Sequence, residues 1–367
     1  NRMCGIAGVF DWQNKKPLDK EIIRSMVSAQ NHRGPDECGF LYDSNFSMGM
    51  SRLSIIDLGG GSQPIHNEDK SIWVVFNGEI FNYIELRPPL EQQGHKFFTS
   101  SDTEVIVHLY EQYGLDFVQH LNGQFAIAIW DTKKKKLILA RDRVGIRPLF
   151  YSKQNGTLYF SSEMKSFFAS GNIEAQIDTA ALADTFTFWV NIPPQTSFKG
   201  VEELPPGHLM IVDTKGVNIQ RFWASVFPEN RDFANLSRKQ TIQEVQDVIH
   251  DAVTIRLRAD VPVAAYLSGG LDSSIISSLV KKYHNNELIT FSVAFKDADY
   301  DERKYQDQMA KHIGTRHHVI EVDDNDIAQQ FIKTSWYAEK PMMRTAPAPL
   351  LALSGLVRSN GIKVVLT

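Results

Sequence analysis

The run Val261-Pro262-Val263-Ala264-Ala265-Tyr266-Leu267 leads straight into Ser268-Gly269-Gly270-Leu271-Asp272-Ser273-Ser274, and from there into a helical stretch over 273–283. A short apolar run, a glycine turn and a helix make a strand–turn–helix unit. Apolar runs recur at 288–295, 317–322 and 362–366, separated by helical segments such as 302–313, with a further helix over about 242–258 ahead of the first run. Alternation of this kind predicts a parallel, doubly wound α/β sheet, in which ligands bind beyond the carboxyl ends of the strands. The turn at 268–274 is therefore the first place to look for chemistry.

Two glycines let the backbone turn tightly, successive N–H groups form an anion nest, and Ser273 and Ser274 open a helix whose positive end favours phosphate. The turn lacks the Gly-Lys-Ser/Thr ending of a Walker loop and is not a Gly-x-Gly-x-x-Gly fingerprint. A glycine turn capped by Asp or Ser can also be purely structural. The whole heptapeptide, however, resembles the PP-loop of ATP pyrophosphatases, which cleave ATP between the α and β phosphates. That resemblance implies a pyrophosphate cradle made by Ser268, Gly269, Gly270, Leu271, Asp272, Ser273 and Ser274. It also implies Asp272 as the carboxylate assisting a Mg²⁺ ion, a hard cation that prefers oxygen ligands. Leu267 and Val293 match positions whose main chain meets adenine or ribose, although both also read as ordinary core residues.

The first half of the chain has a different grammar. Over 5–212, β-rich runs are joined by tight turns. Residues 125–130 and 137–141 flank Asp131, Thr132 and a run of lysines at 133–136, which reads as a solvated hairpin tip. Residues 149–153 and 157–161 flank Asn155-Gly156, a strong hairpin signal. Amphipathic helices are predicted over 19–30 and 102–113. This is an α+β pattern of antiparallel sheet with helices packed on it. Residues 213–240 read as a linker between a domain over 4–212 and another over 241–367, and there is no internal repeat.

Met3-Cys4-Gly5-Ile6-Ala7-Gly8 is the second informative stretch. A cysteine there can be a plain core residue. Removal of Met3 would instead give Cys4 a free α-amino group, whose pKa near ~8 suits a base for its own thiol. Three other pieces suit a glutamine site. Arg52 offers a forked cation for a carboxylate, Asn77-Gly78 an amide and a glycine N–H for an oxyanion, and Asp102 an anion for an ammonium group. Each has a bland alternative: a surface ion pair for Arg52, a turn for Asn77-Gly78, a helix N-cap for Asp102.

Taken together, Met-Cys-Gly-Ile, His32-Arg33-Gly34-Pro35-Asp36, Arg52-Leu53-Ser54-Ile55, Phe76-Asn77-Gly78-Glu79-Ile80-Phe81-Asn82-Tyr83 and Ser101-Asp102-Thr103-Glu104 resemble class II glutamine amidotransferase domains. With Ser-Gly-Gly-Leu-Asp-Ser behind them, and Arg141-Asp142-Arg143-Val144-Gly145 and Lys363-Val364-Val365-Leu366-Thr367 as further matches, their order resembles the glutamine-hydrolysing asparagine synthetases. The resemblance implies an αββα N-terminal-nucleophile domain followed by an α/β PP-loop domain. It makes Cys4 the nucleophile, Asn77 and Gly78 the oxyanion donors, and Arg52, Leu53, Ser54, Ile55, Ile56, Asn77, Gly78, Glu79 and Asp102 the glutamine site. Ammonia released from L-glutamine would then amidate L-aspartate activated by ATP as its adenylate, with AMP and pyrophosphate leaving. Confinement keeps ammonia from protonation in water. An acceptor site would fall in 339–347, where Arg344 would meet an α-carboxylate or remain solvated. The same fold with another carboxylate acceptor, and a non-catalytic regulatory relative, are the competing readings; the intact loop at Ser268–Ser274 speaks against the second.

Composition sets the outer limits. The 367 residues carry 39 Lys+Arg and 43 Asp+Glu, a net charge of −4, which lacks the basic surplus of a nucleic-acid binder. No apolar run reaches the ~18 residues of a membrane span. Two cysteines, Cys4 and Cys38, are too few for a disulfide framework, so a cytoplasmic protein is expected, and relatives suggest a homodimer. Asn1 and Arg2 are read as an extension ahead of the initiator methionine that would cripple the glutaminase if retained. The chain is expected to continue past Thr367 into the loop and lysine that complete the family's second site.

Overall fold

A computed structural model describes residues 3–227, 236–283 and 287–367. The chain divides into two compact units, the first comprising Asn1–Ala224 with Glu339–Met343, the second Ser225–Ala338 with Arg344–Thr367.

The first unit runs β1 (Gly5–Asp11), α1 (Lys20–Ser28), β2 (Glu37–Asp43), β3 (Phe46–Arg52), β4 (Ile65–His66), β5 (Ile72–Ile80), α2 (Tyr83–Gln92), α3 (Glu104–Tyr113) and α4 (Phe117–His120). It continues with β6 (Gly123–Asp131), β7 (Lys136–Arg141), β8 (Phe150–Gln154), β9 (Thr157–Ser161), α5 (Lys165–Ala169), α6 (Thr179–Phe188), β10 (Glu202–Glu203), β11 (His208–Asp213) and β12 (Gly216–Arg221). The strands form two six-stranded antiparallel sheets, ordered β10-β8-β9-β1-β3-β2 and β12-β11-β7-β6-β5-β4.

Period-two alternation builds the layers. Along β6, Phe125, Ile127 and Ile129 pack with Val105, Ile106 and Leu109 of α3, while Ala126, Ala128 and Trp130 face the other sheet. Along β1, Ile6 and Phe10 enter that inter-sheet core, while Ala7 and Val9 meet Ile23, Met26 and Val27 of α1. Each sheet is thus buried on both faces, one between sheets and one under helices. The result is the expected αββα sandwich.

Local chemistry agrees with these elements. The Asp19 carboxylate caps α1 by accepting the Glu21 N–H at 2.9 Å. Asn155 and Gly156 both have positive φ (49° and 82°), as a type I′ hairpin turn requires. The lysine tip is solvated and paired, with Lys133, Lys134 and Lys135 reaching Asp69, Asp131 and Asp43. Helix α2 was not legible because Pro88 and Pro89 lie inside it. The carbonyls these prolines cannot serve belong to Ile84 and Glu85, both exposed residues.

The second unit contains α7 (Arg238–Ile255), β13 (Val263–Tyr266), α8 (Leu271–Tyr283), β14 (Ile289–Phe295), α9 (Arg303–Ile313), β15 (Arg316–Val322), α10 (Asp324–Ala338), α11 (Pro347–Ser359) and β16 (Val364–Leu366). Its four strands are all parallel, in the order β15-β14-β13-β16. Leu353 and Val357 of α11 cover Ala264 and Phe291, and Val253 of α7 with Val280 of α8 cover Ala265. Helices on both faces make this the doubly wound sheet read from the sequence. The stretch 213–240 is not wholly a linker: 216–221 is β12, paired along its length with β11, and α7 already begins at Arg238 behind a Ser237/Gln240 capping box. Residues 228–235 of that stretch, like Asn1 and Arg2, lie outside the described residues.

Candidate active sites

Cys4 sits immediately ahead of β1, where the loop leaving β3 crosses it. The Leu53 N–H donates to Cys4 Sγ at 3.4 Å, and the thiol faces the Leu53 carbonyl at 3.7 Å. Around it opens a cleft of about 470 Å³, open solvent included, whose walls include Arg52, Ile56, Asn77, Gly78, Glu79 and Asp102. Leu53 and Ile55 also line it, so of the predicted glutamine residues only Ser54 falls outside the lining; its N–H donates to Asp36 Oδ2 at 2.9 Å. Chain segments far apart in sequence meet here because β1, β3 and β5 carry the residues to neighbouring ends of the two sheets.

Position excludes the turn at Asn77-Gly78 and the helix cap at Asp102, and it replaces the surface ion pair of Arg52 by a buried one. Asn77 and Gly78 lie within β5, opposite Ala126 and Phe125 of β6, and form no turn. A Cβ on Gly78 would stand 1.9 Å from the Gln124 carbonyl oxygen, so only glycine fits. Asp102 does not cap α3; its Oδ2 accepts the Ile80 N–H at 2.9 Å and ties β5 to the segment before the helix. Arg52 is only 4% exposed; it pairs with Glu37 and donates to the carbonyls of Ile56 and Asp57 at 2.9 and 2.8 Å.

Electrostatics give these groups distinct characters. Burial pushes the Cys4 thiol up, opposed by the Leu53 N–H and by the guanidinium charges of Arg52, Arg147 and Arg33. A thiol held up in this way stays protonated near neutrality and needs a base to act as a nucleophile. Burial likewise pushes the Asp102 carboxyl up to about 6, against the hydrogen bonds from Ile80 and Ser101. Both side-chain polar atoms of Asn77 are buried on the cleft without a hydrogen-bond partner among the described residues. An unpaired buried polar group costs about 1–3 kcal/mol, and a negative charge developing in the cleft would relieve the cost at the Nδ2 donor.

Other residues at this site were not predicted as its members. Arg33 Nε donates to the Cys4 carbonyl at 2.9 Å and pairs through Nη1 with Glu163 at 3.0 Å. Glu163 also accepts from His32 at 3.0 Å and from Lys165 at 2.8 Å. Burial alone would raise that carboxylate, but the His32 hydrogen bond and the Arg33 and Lys165 charges outweigh it and hold it at about 2. Arg147 lines the cleft against Met3, and Gln63 bridges the Phe76 N–H and the Thr103 hydroxyl. Arg33 stood inside a quoted motif. Arg147, Gln63 and Glu163 carried no local signal, since only folding brings them near Cys4. Glu339 and Arg344, read together as part of an acceptor loop, fall in different units; Glu339 accepts the Met164 and Lys165 N–H groups at 2.7 Å each.

In the second unit, Ser268–Ser274 lies at the carboxyl end of β13 and opens α8. The serines shape the loop from within. Ser268 N–H donates to Ser273 Oγ at 3.1 Å, Gly270 N–H to Ser268 Oγ at 3.3 Å, and Ser274 Oγ to the Gly270 carbonyl at 2.7 Å. Gly269 has φ +85°, and a Cβ there would stand 2.9 Å from Tyr305 Cβ. The exposed first turn of α8 carries Leu271 and Asp272 beside unpaired helix N–H groups, a donor set suited to phosphate with one carboxylate for a hard cation. The carbonyls of Leu267 and Val293 are already taken by the Ser292 hydroxyl and the Gln306 amide.

No helix among the described residues is long and apolar enough to cross a membrane, and Cys4 and Cys38 are free thiols. A family model described as glutamine amidotransferase domain matches residues 3–223, and one described as asparagine synthase matches residues 244–367. Asparagine synthetase [glutamine-hydrolyzing] 1 of Bacillus subtilis is 36% identical over 353 residues, 95% of this chain and 55% of that protein. Amidase chyE of Penicillium rubens is 36% identical over 391 residues, 100% of this chain and 57% of that protein. The putative asparagine synthetase [glutamine-hydrolyzing] 2 of Methanocaldococcus jannaschii is 33% identical over 97% of this chain and 72% of its own length. The chain thus spans little more than half the length of the first two of these relatives. The paired domain matches, the αββα cleft around Cys4 and the parallel sheet bearing the Ser268–Ser274 turn agree, and the chain belongs to the glutamine-hydrolysing asparagine synthetase family.

Proposed function

We propose that the chain supplies the glutaminase site and the ATP loop of an enzyme that amidates L-aspartate to L-asparagine with ammonia taken from L-glutamine. The observation that carries this reading is the convergence of Cys4, Asn77, Gly78 and Asp102 on one cleft. Cys4 Sγ attacks the glutamine side-chain amide, the oxyanion forms against the Asn77 amide and a main-chain N–H at Gly78, and ammonia leaves a thioester that water hydrolyses to glutamate. The Cys4 α-amine, once freed from Met3, takes the thiol proton. Asp102 and Glu79 hold the α-ammonium of glutamine. Arg52 stands ready for the α-carboxylate, Leu53 to Ile56 shape the wall, and Arg147 adds a buried positive charge.

At Ser268–Ser274 the loop N–H groups and hydroxyls hold the β and γ phosphates, and Asp272 would hold a Mg²⁺ ion, which when bound would neutralise phosphate charge. The aspartate side-chain carboxylate attacks the α phosphorus, pyrophosphate leaves, and ammonia displaces AMP from the resulting adenylate. A carboxylate is a poor electrophile and AMP a good leaving group, which is what makes the detour through ATP necessary. The enzyme works in the cytoplasm as a homodimer.

A second reading changes only the acceptor carboxylate, and the amidase named among the relatives favours it. The test is release of AMP and pyrophosphate with ATP, Mg²⁺ and a panel of acceptor acids, using glutamine or ammonia as nitrogen source. Aspartate-dependent release supports the proposal; turnover independent of aspartate refutes it. Cys4→Ala is expected to abolish the glutamine-driven reaction and spare the ammonia-driven one. Equal loss of both would make the cysteine structural.

A further inference from the structure

Away from the Cys4 cleft, the first unit brings together Glu68 after β4, His95 after α2, and His108 and Glu111 of α3. One ligand atom of each lies within 4.8 Å of the other three. His108 Nδ1 stands 3.8 Å from Glu68 Oε2 and 3.9 Å from Glu111 Oε2, and His95 Nδ1 stands 3.5 Å from Glu111 Oε2. His108 is wholly buried, packed against the Phe97 ring, and neither of its ring nitrogens has a hydrogen-bond partner among the described residues.

What the other atom of each side chain does decides the chemistry. Glu68 Oε1 accepts the Lys96 N–H at 2.7 Å, and Glu111 Oε1 accepts from Asn67 Nδ2 at 3.2 Å. His95 Nε2 faces Gln112 Oε1 at 3.3 Å, and the tautomer that donates to this oxygen leaves a lone pair on Nδ1. His108 Nε2 faces Glu104 Oε1 at 3.5 Å, and that carboxylate is itself held by the N–H groups of Phe98 and Thr99. With Nε2 as the donor, both imidazoles turn a lone pair on Nδ1 towards the same point as two carboxylate oxygens. Four acceptors facing one another repel unless a metal ion or a proton stands between them.

We propose that these four residues bind a divalent cation of the zinc class. Two imidazole nitrogens and two carboxylate oxygens suit Zn²⁺ better than Mg²⁺ or Ca²⁺, which prefer all-oxygen shells. Tetrahedral Zn²⁺ at ~2.0–2.1 Å from each ligand needs ligand atoms about 3.3–3.4 Å apart, so the three pairs at 3.5–3.9 Å close by a few tenths of an ångström and the other pairs, all within 4.8 Å, by no more than about 1.5 Å, a contraction the exposed Glu68 and Glu111 side chains supply. The outer partners Gln112, Glu104, Asn67 and Lys96 hold the ligands as the surroundings of a metal site do. The side chains of Glu68 and Glu111 are 35% and 37% exposed, which leaves an entry path. The ion braces α3, whose N-terminal flank carries Asp102, against the turns at 67–70 and 94–97.

The test uses the full chain, stripped with a chelator and titrated with Zn²⁺ against a chromophoric competitor, with Co²⁺ as a spectroscopic probe. The wild type is expected to bind one more equivalent than Glu111→Gln, whose side chain is 37% exposed, and than His95→Gln, whose side chain is 9% exposed and whose folding is checked by circular dichroism. It should also show the intense visible bands of tetrahedral Co²⁺ and a Zn²⁺-dependent rise in melting temperature, both absent from the two variants. Affinity in each variant should fall by at least about tenfold. Equal stoichiometry and affinity in wild type and variants would place the metal elsewhere and overturn the proposal. So would the absence of Zn²⁺ binding to the wild type at micromolar free metal, which would leave the cluster a proton site.

Discussion

Replacing Asp102 by Asn is expected to stabilise the protein while disabling its glutaminase. The carboxyl group is 5% exposed and titrates at about 6 in the folded chain against 3.8 unperturbed. Between those values the folded state binds more protons than the unfolded one, so stability falls as pH rises through the window and the full cost is present above pH 7. A shift of about two units corresponds to about 3 kcal/mol. Asn keeps the shape and the oxygen that accepts the Ile80 N–H, and its amide can donate to the Ser101 hydroxyl, so the variant escapes the cost of ionisation. Its advantage should be near zero at pH 4 and about 3 kcal/mol at pH 8, or roughly 6–12 °C in melting temperature for a unit of this size. The glutamine KM should rise by about 10–100-fold, as a charge-assisted hydrogen bond to the α-ammonium is lost. The assay is chemical denaturation followed by intrinsic fluorescence at pH 4, 6 and 8, paired with glutamate release. A stability difference between wild type and Asp102→Asn that does not change with pH would refute the burial argument. An unchanged KM would remove Asp102 from the glutamine site.

Gly78→Ala places a methyl 1.9 Å from the Gln124 carbonyl oxygen, so β5 and β6 must part beside the oxyanion site; glutaminase activity should fall at least about 100-fold with ammonia-driven synthesis retained. Glu163→Gln leaves the buried Arg33 guanidinium without its counter-charge and should cost about 3–5 kcal/mol at pH 7 by denaturant titration. In the wild type the Glu163 contribution is complete above the ordinary glutamate range and disappears as pH falls from there towards about 2, so the variant's deficit should shrink in acid. Gly269→Ala forces a side chain onto a φ of +85° against Tyr305; ATP binding measured by calorimetry should weaken while the glutaminase is untouched.

The sequence by itself was enough for what depends on neighbours along the chain. Period-two runs and Asn155-Gly156 specify hairpins, an apolar run followed by a glycine turn specifies the strand–turn–helix around Ser268–Ser274, and alternating strands and helices specify a parallel sheet. These signals are local, because side-chain periodicity and turn geometry are set within a few residues. Tertiary structure decided the rest. Only the stacking of two sheets carries Arg147, Gln63 and Glu163 towards Cys4, only burial pushes the Cys4 thiol and the Asp102 carboxyl up, and only the folded neighbourhood of α3 turns Glu68, His95, His108 and Glu111 towards one point. Desolvation and convergence are properties of a packed volume, and they take their values only when residues distant in the chain share it.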